Sequence, residues 1–248
     1  SDWLAFRTVN WGASSAKTYT LNSGNASNFE NLLGSDNDDT LTGDANANII
    51  IGAKGVDTIN GGAGNDTIWG DCSTSACKTL ISQNQSSYSL DEYYWGSSGK
   101  NDILNGGAGN DTIYGEIGDD TIDGGAGNDT IISGSGSDVI IITSSSDSDT
   151  LSDFTDGTDA IGFDSSITSS NLVIAASGSD TVIKNGSDIL LTLTGISSAN
   201  VTAADLQSTS TDAQTINGTS GNDILVGGAG NDTFNGGAGS DQLVGWGG

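Results

Sequence analysis

The sequence repeats a nine-residue unit over much of its length. The units GGAGNDTIW (61–69), GGAGNDTIY (106–114) and GGAGNDTII (124–132) share glycine at positions one and four, aspartate at position six and an apolar residue at position eight. One such unit buries almost nothing alone, so it is stable only when it is stacked on its neighbours. The period therefore predicts a solenoid built from eleven units, which begin at residues 34, 43, 52, 61, 106, 115, 124, 133, 218, 227 and 236.

Each position of the unit has a physical role. The glycines allow the left-handed backbone of a tight turn, and the following Asp-x-apolar-x stretch predicts a short strand with one side chain facing the core. The expected core positions are Ile59, Ile68, Ile113, Ile122, Ile131, Ile140, Leu225, Phe234 and Leu243.

The unit resembles the glycine- and aspartate-rich nonapeptide of RTX proteins, G-G-x-G-x-D-x-U-x with U apolar. The resemblance implies a right-handed parallel β-roll in which two nonapeptides make one turn, so that residues eighteen apart are stacked. It also implies that the aspartate at position six shares a Ca²⁺ ion with the aspartate two repeats on, while turn carbonyls complete the oxygen shell. The absence of His and the presence of only two Cys favour calcium over zinc or copper.

The predicted calcium ligands are the aspartates at position six of the repeats. Asn48 replaces aspartate in the second repeat, so its site with Asp66 is predicted to be weaker. The alternative is that these aspartates only solvate the turns, where Asp is common. Against this alternative, a stacked column of like charges repels itself in the absence of a counter-ion. The predicted ligands are Asp39, Asp57, Asp66, Asp102, Asp111, Asp120, Asp129, Asp138, Asp223, Asp232, Asp241 and, as explained below, Asp2.

Five segments are predicted along the chain. The cap among them has longer alternating stretches with Gly and Asn-Gly turns, and it resembles the β-rich module that caps RTX arrays in secreted enzymes. The fold class is all-β: a calcium-binding parallel β-roll solenoid with an inserted antiparallel β-rich capping module. The segments are N-terminal strands (1–33), a roll with a loop insertion at 71–96 (34–148), the cap (149–207), a linker (208–217) and a second, open-ended array (218–248).

The insertion carries two features of its own. Cys72 and Cys77 are close enough in sequence for a small disulfide loop, which suits an oxidising compartment. Tyr93, Tyr94 and Trp95 form an aromatic cluster, which indicates either a contact surface for a partner or cell-surface glycan, or a loop that covers one flank of the roll.

The charge and the residue inventory exclude several functions. Asp and Glu outnumber Lys and Arg by 32 to 6, which disfavours nucleic acid as a partner. No stretch approaches the length of a transmembrane segment. Without His there is no Ser-His-Asp, Cys-His or HExxH centre, so we do not expect an enzyme.

Residues 245–248 begin a further unit, and residues 1–5 supply the rest of it when they are placed directly after Gly248. Asp2 then falls eighteen positions after Asp232, the spacing of a calcium-sharing pair. Two explanations fit: copies joined head to tail in a filament, or identical modules in tandem in a longer polypeptide.

The leading functional hypothesis is a secreted, calcium-stabilised structural protein of the bacterial cell surface, self-assembling into a filament or S-layer-like array after type I secretion. The alternatives are an RTX adhesin module, or the calcium-dependent folding and secretion region of a larger exported enzyme.

Overall fold

The computed structural model describes residues 6–8, 16, 18–21, 31–73, 77, 99–143, 147–163, 167, 172–208, 213–218, 220, 224–227 and 230–245. The chain divides into two compact units, Ser1–Asp138 and Val139–Gly248. No helix among the described residues is long and apolar enough to cross a membrane.

The first unit consists of two parallel sheets, and successive strands of the chain alternate between them. The first sheet has the order β1 (Phe6–Thr8), β3 (Asn31–Leu33), β5 (Ile49–Ala53), β7 (Thr67–Asp71), β9 (Thr112–Tyr114) and β11 (Thr130–Ile132). The second sheet has the order β2 (Thr18–Thr20), β4 (Thr40–Thr42), β6 (Thr58–Asn60), β8 (Ile103–Ala108) and β10 (Thr121–Ala126).

The strands pair in the register that a nine-residue unit requires when two units make a turn. Leu32 lies opposite Ile50, and Ile113 lies opposite Ile131, each pair eighteen residues apart. This alternation of parallel strands confirms the predicted β-roll. At the start of the chain the pitch is irregular, because Phe6 pairs with Asn31 and Thr18 pairs with Thr40.

The apolar residues at position eight form the core of the roll. Their strands follow an alternating pattern of exposure, and the central residue of each is fully or almost fully buried. Each layer of the core therefore contains one isoleucine or leucine side chain from each of the two sheets. The residues concerned in this unit are Leu41, Ile50, Ile59, Ile68, Leu104, Ile113, Ile122 and Ile131.

The insertion lies within a single turn and leaves the pairing on both sides intact. Ile59 pairs with Leu104 and Ile68 pairs with Ile113, a separation of 45 residues instead of eighteen. Gly70 and Asp102 belong to the same turn, because a Cβ on Gly70 would overlap the Asp102 carboxylate. One repeat is therefore composite, with its first residue before the insertion and its aspartate after it.

The second unit combines parallel and antiparallel strands. β12 (Val139–Ile142), β14 (Ala160–Phe163) and β18 (Leu206–Ser208) pair in parallel in that order. β13 (Asp149–Leu151) pairs in parallel with β17 (Asp188–Leu193), from which β16 (Asp180–Asn185) and β15 (Leu172–Ser177) continue as an antiparallel meander.

The predicted antiparallel cap at 149–207 is therefore correct only for residues 172–193. β13 and β14 remain parallel because Asp149–Leu151 and Asp159–Ile161 keep the Asp-x-apolar pattern of the nonapeptide strand. The turns of the meander contain Gly178 and Gly186, whose φ angles of 69° and 64° explain the glycines there.

The second array begins earlier than Gly218. β19 (Thr215–Asn217) pairs in parallel with β21 (Thr233–Asn235), and β20 (Ile224–Val226) pairs with β22 (Gln242–Val244), each eighteen residues apart. The segment predicted as a linker thus ends in a strand of the array. That repeat is hard to detect because Gln214 occupies its sixth position.

Because each layer contributes one buried residue from each sheet, truncating such a residue leaves a cavity. We expect Ile113→Ala, at a fully buried residue, to lower the free energy of unfolding in calcium by about 2–5 kcal/mol. Ile103→Ala, at a residue that is 52% exposed, should change it by less than about 0.5 kcal/mol. Chemical denaturation followed by circular dichroism measures both, and equal losses would contradict the assigned core.

Candidate metal centre

The carboxylates at position six form two ladders along the roll. In each rung, one carboxylate oxygen accepts the backbone N–H of the sixth residue of the preceding turn. Asp57 Oδ1 accepts from Asp39 at 2.8 Å, and Asp120 Oδ1 accepts from Asp102 at 2.8 Å. One ladder comprises Asp39, Asp57, Asp102, Asp120 and Asp138, and the other comprises Asn48, Asp66, Asp111 and Asp129.

The second carboxylate oxygen of several ladder aspartates, among them Asp57, Asp102 and Asp111, accepts no hydrogen bond from the described residues. Each is a buried Oδ2 atom that receives no donor from the described residues, although an unsatisfied buried anion is costly. Such an oxygen requires a positive counter-charge. The residues that carry this Oδ2 atom include Asp57, Asp66, Asp102, Asp111, Asp120 and Asp232.

Main-chain carbonyls converge on the same places. A Cβ on Gly52 would overlap Asp57 Oδ2 and lie 2.5 Å from the carbonyl oxygen of Gly70 in the next turn. Gly61 stands in the same relation to Asp66 Oδ2 and to the carbonyl of the next turn. Glycine at position one thus leaves a cradle lined by a carboxylate oxygen and a carbonyl oxygen.

This donor set fits calcium. Ca²⁺ takes six to eight oxygen ligands from carboxylates and backbone carbonyls. No three Asp, Glu, Cys or His side chains converge on one point in the described part of the chain, so most ligands must come from the main chain. Asp57, Asp66, Asp102, Asp111 and Asp120 carry such an oxygen, and their role as calcium ligands stays a prediction.

Burial makes these carboxylates hard to ionise in the absence of a cation. Burial, with a smaller contribution from the charges of neighbouring carboxylates, raises the pKa of Asp102 to about 9 and that of Asp57 to about 8. The backbone N–H groups of the ladder oppose this shift. Burial likewise raises the pKa of Asp66 and Asp120 to about 7, and that of Asp111.

The first two repeats close their turns differently. Asp39 Oδ2 accepts the backbone N–H of Ser35 at 2.6 Å. The side-chain oxygen of Asn48 accepts the N–H of Asp44 at 2.8 Å. In these two repeats an internal hydrogen bond thus takes the side-chain oxygen that faces the turn, so the weaker site predicted for Asn48 and Asp66 stays a prediction.

The second array also contains a rung of the ladder. The N–H of Gln214 donates to Asp232 Oδ1 at 2.9 Å, so the glutamine backbone serves where the other repeats have aspartate or asparagine. Asp241 lies in the last described turn and is half-buried. Asp223 and Asp2 lie outside the described residues.

The structure joins Cys72 and Cys77 in a disulfide with 5.6 Å between the Cα atoms. Both are buried in an apolar cluster with Leu33, Ile51 and Trp69. Tyr93, Tyr94 and Trp95 fall outside the described residues, so both interpretations of that aromatic cluster remain predictions.

Sequence reasoning missed two buried acids at position two, where the repeat pattern has glycine. Asp71 accepts the N–H of Lys100, and Glu116 accepts the hydroxyl of Ser73. Burial, with a smaller contribution from the nearby Glu116 carboxylate, raises the pKa of Asp71 to about 7, while the N–H and the charge of Lys100 oppose the shift. The detectable signal was the departure from Gly-Gly at the start of the units that contain them.

A second hydrogen-bond ladder at position five was also missed. The side-chain oxygen of Asn65 accepts the N–H of Asn110, whose own side-chain oxygen accepts the N–H of Asn128, both at 3.0 Å. The recurring Asn-Asp pair in the sequence is the signal that could have identified it.

A model of the RTX calcium-binding nonapeptide repeat matches residues 33–68, 96–131, 105–140, 118–151 and 209–248, which together make up more than half of the chain. The chain belongs to this family. RTX repeats form calcium-binding β-rolls in exported proteins, so we assign this chain as such a region. No curated protein matches the chain.

Solved structures with similar rolls include two repeat subunits and one enzyme. The AlgE6R3 subunit of the Azotobacter vinelandii mannuronan C5-epimerase is 23% identical, with a TM-score of 0.34 over 43% of this chain and 72% of that chain. The AlgE6R2 subunit is 24% identical, with a TM-score of 0.32 over 43% and 87%. The extracellular lipase LipA of Serratia marcescens is 16% identical, with a TM-score of 0.33 over 71% of this chain and 39% of the lipase.

The ladder predicts that charge at Oδ2, not the hydrogen bond at Oδ1, determines calcium binding. Asp111→Asn keeps an oxygen for the N–H of Asp66 but removes the charge, a loss of roughly 1.5–3 kcal/mol or about tenfold to a hundredfold in affinity. Asp119→Asn is the control, because exposed Asp119 also accepts a backbone N–H from the next turn. Calcium titration followed by circular dichroism should shift for the first variant alone, and equal shifts would contradict the assignment.

The raised pKa values predict competition between protons and calcium. In the absence of calcium, folded Asp57 and Asp102 hold protons up to about pH 8 and 9, whereas the unfolded groups release them near 3.8. Their contribution to stability is therefore complete below about pH 4 and is lost as the pH rises to about 9. In calcium the trend reverses, because the ionised form binds the cation. Denaturation across this range with and without chelator checks both signs, and parallel curves would refute the competition.

Proposed function

We propose that this chain is a structural module of the bacterial cell surface that folds outside the cell when calcium binds. The observation that carries the proposal is the stack of buried carboxylates, several of which, such as Asp57, Asp102 and Asp111, have an Oδ2 atom that receives no donor from the part of the chain that the structure describes. At low calcium the repulsion among these charges opposes folding, and extracellular-type sites fill at dissociation constants of about 10⁻⁴–10⁻³ M. The binding free energy then becomes folding free energy. Export in an unfolded form through a type I channel agrees with such a switch.

Assembly is the second part of the proposal. Leu243, at the core position of the last described repeat, is 52% exposed, whereas Leu225 in the paired strand is fully buried. Among the described strands, β22 is hydrogen-bonded to β20 alone. An apolar side chain on such an edge strand favours addition of another strand.

The occupant we propose is the N-terminal segment 1–5 of a second copy, which continues the nonapeptide pattern and supplies Asp2 at position six. A contact of this kind is heterologous and propagates as a filament or S-layer-like array.

Two other functions remain as alternatives. In an adhesin module, Tyr93, Tyr94 and Trp95 would bind a partner or cell-surface glycan, and the chain would stay monomeric. In the folding and secretion region of a larger exported enzyme, the chain would fold with calcium and show no assembly of its own. The charge of −26 argues against a nucleic-acid partner in each case.

Sedimentation and negative-stain electron microscopy, in calcium and in chelator, test the assembly. We expect filaments in calcium alone, and we expect Leu243→Asp to abolish them because it places a charge on the apolar end of the array. Asp2→Ala should weaken them.

The matched control is Val173→Asp, at a residue that is 46% exposed on strand β15. Filaments that persist in Leu243→Asp, or that disappear equally in Val173→Asp, would refute the proposed contact. Monomers that fold with calcium would favour the alternatives, and a chain whose circular dichroism ignores calcium would refute the folding switch itself.

A further inference from the structure

The disulfide is covered by residues that the fold brings together from separate turns. Leu33 lies opposite Ile51, and Ile51 lies opposite Trp69, each pair eighteen residues apart on the first sheet. All three residues occupy the position that follows the core residue of their strand. They form one apolar cluster with Cys72 and Cys77. The surface on which the disulfide packs therefore exists only while these turns are stacked.

Both sulfur-bearing side chains are removed from solvent. Cys72 is 3% exposed and Cys77 is 0% exposed. Trp69, which is also buried, stacks its ring on that of Tyr114 in the adjacent strand. Thiol–disulfide exchange requires access of a thiolate to one of the two sulfur atoms. The stacked layers therefore deny a reductant this access for as long as the roll stays closed.

The disulfide loop begins at a turn that belongs to the carboxylate ladder. Cys72 follows Gly70 by two residues, and a Cβ on Gly70 would overlap the Asp102 carboxylate. The N–H of Asp57 donates to Asp102 Oδ1 at 2.7 Å, so the ladder crosses the insertion at this turn. The order of the ladder and the covering of the disulfide therefore depend on the same stacked turns.

We propose that calcium and the disulfide protect each other. Calcium binding to the roll shields the Cys72–Cys77 bond from reduction, and the bond lowers the calcium concentration at which the roll folds. The inference rests on the calcium-dependent folding proposed above. A ligand that binds only the folded chain stabilises it, a disulfide restricts the unfolded chain, and the coupling between the two is reciprocal. Removal of calcium thus exposes the bond to thiol reductants.

The reductant in this scheme is a dithiol. One of its thiolates attacks the Sγ atom of one cysteine, which breaks the disulfide and releases the other cysteine as a thiolate that takes up a proton. The second thiol of the reagent loses its proton, attacks the mixed disulfide and releases the first cysteine in the same way. Two electrons pass from the dithiol to the protein, and the reagent becomes a cyclic disulfide. Both steps need an exposed sulfur atom, which the unfolded chain offers.

The first test measures how fast dithiothreitol reduces the disulfide of the full chain, in saturating calcium and in chelator. Iodoacetamide traps the released thiols for mass spectrometry. We expect reduction to be at least about tenfold slower in calcium, because it requires opening of the roll. In concentrated urea, where the roll is unfolded, calcium should leave the rate unchanged.

Equal rates in calcium and in chelator, for a chain whose circular dichroism responds to calcium, would overturn the inference. A calcium effect that persists in urea would also overturn it, because the protection would then not come from the fold. A chain whose circular dichroism does not respond to calcium would instead refute the proposed function.

The probe variant for the cover is Ile51→Ala, and the matched control is Leu225→Ala. Both residues are fully buried, but Ile51 packs in the cluster of the disulfide, whereas Leu225 lies in the second array. Reduction in calcium should be several-fold faster than in the parent for Ile51→Ala alone. No acceleration in Ile51→Ala, or equal acceleration in both variants, would contradict the assigned cover.

The reciprocal effect is tested with Cys72→Ala/Cys77→Ala. Alanine removes the cross-link but keeps a small apolar side chain at both positions of the cluster. The calcium concentration at the midpoint of folding, followed by circular dichroism, should rise about twofold or more. An unchanged midpoint would overturn the reciprocal protection. If the variant does not fold at any calcium concentration, the reduction rates of the parent decide.

Discussion

The structure depends on how the two oxygens of one carboxylate are used. At position six, Oδ1 accepts the backbone N–H of the preceding turn, as in Asp66 and Asp111, and so sets the vertical spacing of the layers. In these two residues Oδ2 is buried against the first glycine of its own repeat and receives no donor in the described residues. One interaction thus orders the stack, and the other leaves a charge that only a cation can balance. Fold and calcium binding are therefore consequences of the same residue.

The two sheets of the first unit differ at position nine, next to the core residue. In the first sheet this position holds Ile51 and Trp69, which are buried with Cys72 and Cys77, and Tyr114, whose ring stacks on Trp69 with 5.0 Å between centroids. In the second sheet the position is polar, and the amide of Asn105 donates to Asp123 at 3.1 Å. The disulfide loop packs on the apolar face because that face offers hydrophobic area to bury.

The sequence was sufficient for the roll, its register and the ladder aspartates, because each follows from a short pattern repeated at fixed spacing. The sequence was insufficient where a residue departs from the nonapeptide consensus but the backbone keeps the geometry of the roll. Gln214 takes part in the ladder through its backbone N–H, which every residue type except proline has. The repeat that precedes Gly218 was therefore not recognised from its side chains. Asp71 and Glu116 escaped because their burial depends on layers that are far apart in the sequence. The parallel pairing of β13 with β17 was missed because pairing partners are set by the whole stack.

The insertion shows why such an array tolerates interruption. In a solenoid each layer contacts only the layers directly above and below it. A long insertion therefore leaves the stack intact wherever its two ends lie in the same turn. Gly70 and Lys100 meet this condition, since the ladder continues from Asp57 to Asp102 with the same 2.7–2.8 Å hydrogen bond found in uninterrupted turns. Closing a loop of this length costs conformational entropy that a regular turn does not. Three contacts lie where the insertion leaves and rejoins the roll: the disulfide, the hydrogen bond from Lys100 to Asp71 and the contact between Ser73 and Glu116. At this place they offset the entropic cost most directly. An interrupted roll thus needs additional bonds at the two ends of its insertion to keep its layers in register.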